Sequence, residues 1–135
     1  MTFRHAVSAI AVIAALALGA CGSDDKSSEE ESATPAEAVT EIGSVESALD
    51  TALAQVKSGD RAAAEETVSE AYVDHFEKVE GPLEKVDEEL NEELEESISS
   101  ELRDTIKSGA PVARVQALVT EIKADLATAK GKLQA

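Results

Sequence analysis

Tryptophan is absent from this chain, and its 135 residues include one tyrosine, two phenylalanines, one cysteine and three prolines. Each scarcity excludes something. Beyond Phe3, the only aromatics are Tyr72 and Phe76, so a core must be built from Leu, Val, Ile and Ala. A lone cysteine permits no disulfide within the chain, which leaves packing to hold the fold. Basic residues are also few: 12 stand against 28 acidic ones, for a formal charge of −16. Nucleic acid and anionic lipid surfaces are disfavoured as partners, because both repel such a chain. Cations and basic protein surfaces are favoured instead. No period-2 alternation of useful length occurs, so strands are not expected.

Residues 6–20 form an uncharged apolar run behind Arg4, ending in Leu18-Gly19-Ala20 just before Cys21. A basic start, a short apolar run and small residues at the end describe an export signal. A permanent span needs ~20 apolar residues, so this run is short for one. Leu18-Gly19-Ala20-Cys21 resembles the lipobox of bacterial lipoproteins. The resemblance implies cleavage before Cys21, lipidation of Cys21, and an anchored location on the extracytoplasmic face of the cell membrane. Acyl chains hold such a protein because each buried CH₂ contributes ~0.8 kcal/mol. The plainer alternative is an ordinary signal peptide with a chance cysteine. Loss of residues 1–20 removes Arg4 and no acidic residue, so 11 basic side chains then face 28 acidic ones. Three parts are expected: a signal at 1–20, the lipidated cysteine with an acidic, disordered tether at 21–33, and one folded domain at 34–135.

Punctuation divides the domain into four helices. Thr34-Pro35-Ala36-Glu37 combines a capping residue, a first-turn proline and a capping-box glutamate. The first helix presents Val39, Ile42, Val45, Leu49, Ala52 and Val56 to a core. Lys57-Ser58-Gly59-Asp60 ends it, with Gly59 as the left-handed stop and Asp60 as the next cap. The second helix, with Ala64, Val68, Tyr72, Phe76 and Val79 inward, is expected to break at Gly81-Pro82. The third presents Val86, Leu90, Leu94, Ile98, Leu102 and Ile106, always four apart. Such a stripe drifts ~40° per step around an α-helix, so this helix is expected to cross its neighbours or change partner along its length. Lys107-Ser108-Gly109 ends it. Pro111 opens a fourth helix with Val112, Val115, Val119, Ile122, Leu126, Ala129 and Leu133 at alternating spacings of three and four. Short connections then predict an all-α, antiparallel up-down-up-down four-helix bundle. The two Lys-Ser-Gly stops admit two accounts, a duplicated hairpin or simply good helix-ending chemistry.

Eleven carboxylates lie between Asp74 and Glu96, opposed only by Lys78 and Lys85. Spacings of three and four align Asp74, Glu77 and Glu80 on one flank and Glu88, Glu92 and Glu95 on another. Two readings stand together. The run is a solvated acidic face, or it is an oxygen-rich site for a hard cation such as iron(III), calcium or manganese. His75, the only histidine after the signal, falls between Tyr72 and Phe76 and is expected at the edge of the core rather than as a ligand. Sites of catalytic type find little support. There is no Glu-x-x-His di-iron signature, no calcium loop with its central glycine, no glycine-rich phosphate loop, and no cysteine beyond Cys21 to act as nucleophile. A non-enzyme is expected.

The stretch Ala71-Tyr72-Val73-Asp74-His75-Phe76-Glu77-Lys78-Val79-Glu80, followed by Leu83, Leu94-Glu95, Leu102-Arg103 and Ile106 through Gly109, resembles the soluble extracytoplasmic domain of bacterial high-affinity iron permeases. The likeness covers about residues 50–130. It implies a helical domain tied to iron uptake, with Glu77, Glu80 and Glu95 as candidate ligands, Arg103 as a structural ion-pair partner, and a membrane iron permease as partner. The permease's own membrane helices and Arg-Glu-x-x-Glu motif are absent, so transport by this chain alone is not implied. The alternative, from another class, is a structural or protein-interaction module that binds no metal; a domain that only regulates a membrane partner is indistinguishable from it by sequence.

Overall fold

The computed structural model describes residues 33–135, and Cys21, the apolar run and the acidic segment 22–32 lie outside them. Four helices account for nearly all of the described chain. The first is Pro35–Ser58. The second runs without interruption through Arg61–Ala71, a π-helical segment Tyr72–Phe76, and Glu77–Glu84. The third is built likewise from Glu88–Glu96, a π-helical segment Ser97–Leu102, and Arg103–Lys107. The fourth is Val112–Leu133. No described helix is long and apolar enough to cross a membrane.

The helix ends follow the local chemistry. Thr34 Oγ1 accepts from the Glu37 amide at 3.3 Å while the Glu37 carboxylate accepts from the Thr34 amide at 2.8 Å, closing the capping box. Gly59 and Gly109 adopt φ of 93° and 76°, the left-handed region that a Cβ disfavours. Beyond each glycine the chain folds back, with Asp60 N donating to Gln55 O and Ala110 N to Thr105 O. Asp60 and Asp87 accept from the amides of Ala63 and Leu90, starting the second and third helices.

The second helix does not stop at Gly81-Pro82. It continues to Glu84, and the connection is Lys85-Val86-Asp87. An interior proline costs ~3 kcal/mol through its missing N–H and its clash with the preceding turn. Val79, Pro82 and Leu83 are all buried here, and each apolar side chain fully buried contributes ~1.5–3 kcal/mol. Packing therefore outweighs the break. Val86, expected inside the third helix, lies in the connection and is 51 % exposed. Val112 at the start of the fourth helix is likewise exposed, and the first helix buries Ala38 where Val39 was expected, leaving Val39 packed at the edge. Leu118, absent from the expected stripe, is buried.

The two π-helical segments explain the four-residue stripes. A turn closed by i→i+5 bonds takes more residues than the 3.6 of an α-turn. A step of four then falls closer to one full turn, and the drift is absorbed within the helix. Leu94, Ile98, Leu102 and Ile106 remain fully buried across Ser97–Leu102. Ala64, Val68 and Phe76 do the same in the second helix, where Tyr72 is half-buried.

The apolar core is continuous. Its largest fully buried side chains include Phe76, Ile42, Leu49, Leu83, Leu94 and Ile122. Polar ties join the helices at their margins. Arg61, at the start of the second helix, donates to the carbonyls of Ile106 and Ala110 at 3.1 and 2.5 Å. Thr67 donates to Gln55 at 3.0 Å. Lys123 and Lys130 of the fourth helix reach Asp50 and Glu46 of the first at 2.7 and 2.6 Å. Lys132 reaches Asp87 at 2.8 Å.

Candidate functional site

Tyr72 is placed by the first residue of the π-helical segment in the second helix. Its ring stays against the core, 5.8 Å from that of Phe76 between centroids, and its hydroxyl reaches outward. That hydroxyl donates to Glu80 Oε1 at 2.6 Å, two turns further along. Burial pushes the Tyr72 phenol well above its ordinary range, and the carboxylates of Glu80, Glu95 and Glu77 push the same way. Burial also raises Glu80; the tyrosine hydrogen bond opposes this, and the charges of Glu95, Glu77 and Glu84 add to it. The second and third helices thus bring Glu77, Glu80 and Glu95 within electrostatic reach of one phenol. Glu80 is half-buried, whereas Glu77 and Glu95 are exposed. Among the described residues, no three His, Cys, Asp or Glu side chains already stand together as a metal-holding group.

The proximity has a clear cause. The continuation of the second helix through Pro82 carries Glu80 and Glu84 on regular helix beside the start of the third. A break at Gly81 would have set Glu84 in a loop.

His75 is neither in the core nor in this patch. It is half-exposed, and its Nδ1 lies 2.6 Å from Glu41 Oε2 on the first helix. The hydrogen bond with His75 holds the Glu41 carboxyl below its usual range, against a smaller opposing effect of burial and with help from Lys78, 3.4 Å away. The side chain expected at the core edge instead ties two helices together. Nothing in its local apolar spacing signals Glu41, which lies 34 residues earlier.

Arg103 follows the second π-helical segment and turns toward the second helix, where Nη2 lies 3.4 Å from Glu65 Oε1. Its Nε is buried without a hydrogen-bond partner. Arg103 therefore contacts a carboxylate outside the Tyr72 patch. Asn91 of the third helix is the only buried polar side chain among the described residues, at 7 % exposure, and its Oδ1 also lacks a partner. Neither Asn91 nor the tie made by Arg61 was singled out from sequence; an asparagine one turn before Glu95 in a carboxylate run was the available signal.

Beside the patch, an open groove of about 1110 Å³ runs between the start of the first helix and the end of the second. Glu37, Glu41, Glu77, Glu80 and Glu84 line it, with Lys78 as the one basic residue among the described ones and Val73 as an exposed apolar contact. Against family models, curated proteins and solved structures, the chain finds no match.

Proposed function

We propose that this protein is a lipid-anchored, extracytoplasmic four-helix module that binds a hard cation through carboxylates and serves as an accessory in iron uptake, iron being its cargo. The observation that carries the reading is the Tyr72–Glu80 hydrogen bond, surrounded by the charges of Glu77, Glu84 and Glu95. An oxygen-only donor set of this kind suits iron(III), manganese or calcium rather than softer metals. A cation there relieves both the mutual repulsion and the burial of Glu80. Since the carboxylates do not already form a closed group, binding requires Glu77 and Glu95 to swing toward Glu80. Glutamates on the surface of two helices have the freedom to do so.

The helix order also belongs to this reading. The ties of Arg61 to the end of the third helix, and of Lys123 and Lys130 to the first, fit an antiparallel up-down-up-down arrangement. In that arrangement Thr34, the Lys85–Asp87 connection and Leu133 share one end, toward a lipid on Cys21. The groove and the Tyr72 patch then face the membrane side, within reach of a permease.

A second reading has its own observation. The groove combines five carboxylates with the exposed Val73, a lining that suits a basic protein segment as well as an ion. Equilibrium dialysis of the full chain against iron(III), manganese(II) and calcium separates the two. Saturable binding that falls in a Glu77→Gln, Glu80→Gln double variant supports the cation site. Absence of saturable binding, or binding unchanged in the double variant, overturns it in favour of the interaction module.

A further inference from the structure

We propose that the end of the bundle that carries Thr34 rests on a zwitterionic lipid surface, through exposed Lys85 and Val86 and an apolar hollow beside Leu133. The inference rests on the lipid-anchored reading above and is independent of the cation site.

Contacts bring four helix ends together there. Thr34, Pro35, Ala36 and Val39 from the start of the first helix and Leu133 and Gln134 from the end of the fourth line a hollow of about 590 Å³. Lys132, next to Leu133, reaches Asp87 at 2.8 Å, which brings the Lys85-Val86-Asp87 connection to the same place. Thr34 and Glu84 both line the larger groove, so the end of the second helix lies near the start of the first. Val86 is one of three large apolar side chains exposed among the described residues, at 51 %. The fold does not require a valine there. The connection is held by main-chain bonds from Val86 N and Asp87 N to Leu83 O, which any side chain but proline allows. An exposed valine beside an exposed lysine joins an apolar tip to a cation, a pairing suited to the boundary between headgroups and acyl chains.

What covers this end follows from where the chain leads. Residues 22–33 separate Thr34 from Cys21, and twelve residues span no more than ~45 Å. A lipid on Cys21 therefore keeps Thr34, and the hollow it lines, near the bilayer. One valine and an open hollow bind a membrane weakly on their own. The tether makes the encounter intramolecular, so even a weak contact is populated. Charge then selects the lipid. Glu37, Glu84, Glu88 and Glu89 are exposed near the same end and repel anionic headgroups, whereas a zwitterionic layer offers phosphates to Lys85 without a net negative surface. Docked this way, the bundle holds the acidic groove beside Thr34 at the membrane surface.

Position 134 reports on the contact, because Gln134 is exposed and lines the hollow. The protein is purified from bacterial membranes, where a lipid on Cys21, its only cysteine, blocks that thiol to maleimide. Gln134→Cys then supplies the single site for a maleimide fluorophore. In phosphatidylcholine vesicles that fluorophore is expected to be quenched by lipids carrying a nitroxide at the headgroup boundary. The same label in Lys57→Cys, ~35 Å along the first helix from Thr34, is expected to stay bright. Val86→Asp is expected to retain helical circular dichroism and to cut quenching at position 134 by about half or more. Lys85→Glu is expected to act in the same direction, as is replacing half of the lipid by phosphatidylglycerol. No quenching at position 134, equal quenching at 57 and 134, or quenching that neither variant changes overturns the proposal while the anchor stands. Quenching that holds or strengthens on phosphatidylglycerol overturns the zwitterionic assignment. A label at position 134 that reports an apolar setting yet escapes the nitroxide assigns the hollow to a protein segment and overturns the proposal too. A parent chain that takes the label at Cys21 overturns the anchor and the proposal together.

Discussion

At the scale of single residues, the surroundings of Glu80 determine what its carboxylate does. Burial and three neighbouring carboxylates raise it, so its charged form is disfavoured in the fold. Glu80→Gln is therefore expected to stabilise the fold at neutral pH, by no more than ~1 kcal/mol because solvent screens a group that is only half-buried. The gain should vanish below the usual carboxylate range, and thermal melts at two pH values check it. Arg61 works in the opposite sense. It donates to two main-chain carbonyls at the end of the third helix, and hydrogen bonds from a charged group contribute ~1.5–3 kcal/mol. Arg61→Leu is expected to lose about that much stability by urea unfolding, without change in cation binding. Sequence alone showed the caps Thr34, Asp60, Gly59 and Gly109, because each acts within four residues. The pairs Arg61–Ala110 and His75–Glu41 were not legible, since their partners are 49 and 34 residues apart.

At the scale of elements, hydrophobic spacing contains more than the helix count. A stripe with steps of four is a poor fit to an α-helix and a better fit to one with a π-helical turn. Both inner helices carry such a turn inside their four-step stripes, at Tyr72–Phe76 and Ser97–Leu102. The same spacing had suggested a helix that crosses its neighbours or changes partner along its length; the π-helical turn takes up drift within the helix itself. Deleting Ser100, which is exposed, restores α-helical spacing to Leu102 and Ile106, so the variant should keep its helical circular dichroism and cooperative melt. Deleting exposed Gln116 from the regular fourth helix rotates Leu118 to Leu133 by ~100° relative to Val115 and should abolish cooperative melting. Equal tolerance of the two deletions contradicts this account. The break expected at Gly81-Pro82 failed because local propensity was read without the burial of Val79, Pro82 and Leu83.

At the scale of the whole molecule, an excess of carboxylates sets the response to acid. Glu37, Glu41 and Asp87 are held below their ordinary range, chiefly by hydrogen bonds to Thr34, His75 and Lys132, so their contribution is present at neutral pH and is lost as pH falls below the usual carboxylate range. Glu80 and Asp125 are raised, so the fold binds their protons more readily and gains stability as pH falls toward that range. The two trends together place maximal thermal stability between the usual carboxylate range and neutrality, which melts across the acid and neutral range check. A bound cation should shift the maximum back toward neutral pH, because it competes with protons for the same oxygens. The all-helical architecture and the partition into four helices were legible in the sequence; the influence of Glu95 on Tyr72 and Glu80 depends on the register between two helices, which spacing within each helix does not contain. The most direct test of the central claim is a nuclear magnetic resonance titration of the full chain with manganese(II), followed at the ring of Tyr72, the only tyrosine. Broadening of that ring at substoichiometric manganese, lost in the Glu77→Gln, Glu80→Gln variant, is the predicted result; a Tyr72 signal that stays sharp, or that broadens equally in the variant, contradicts it.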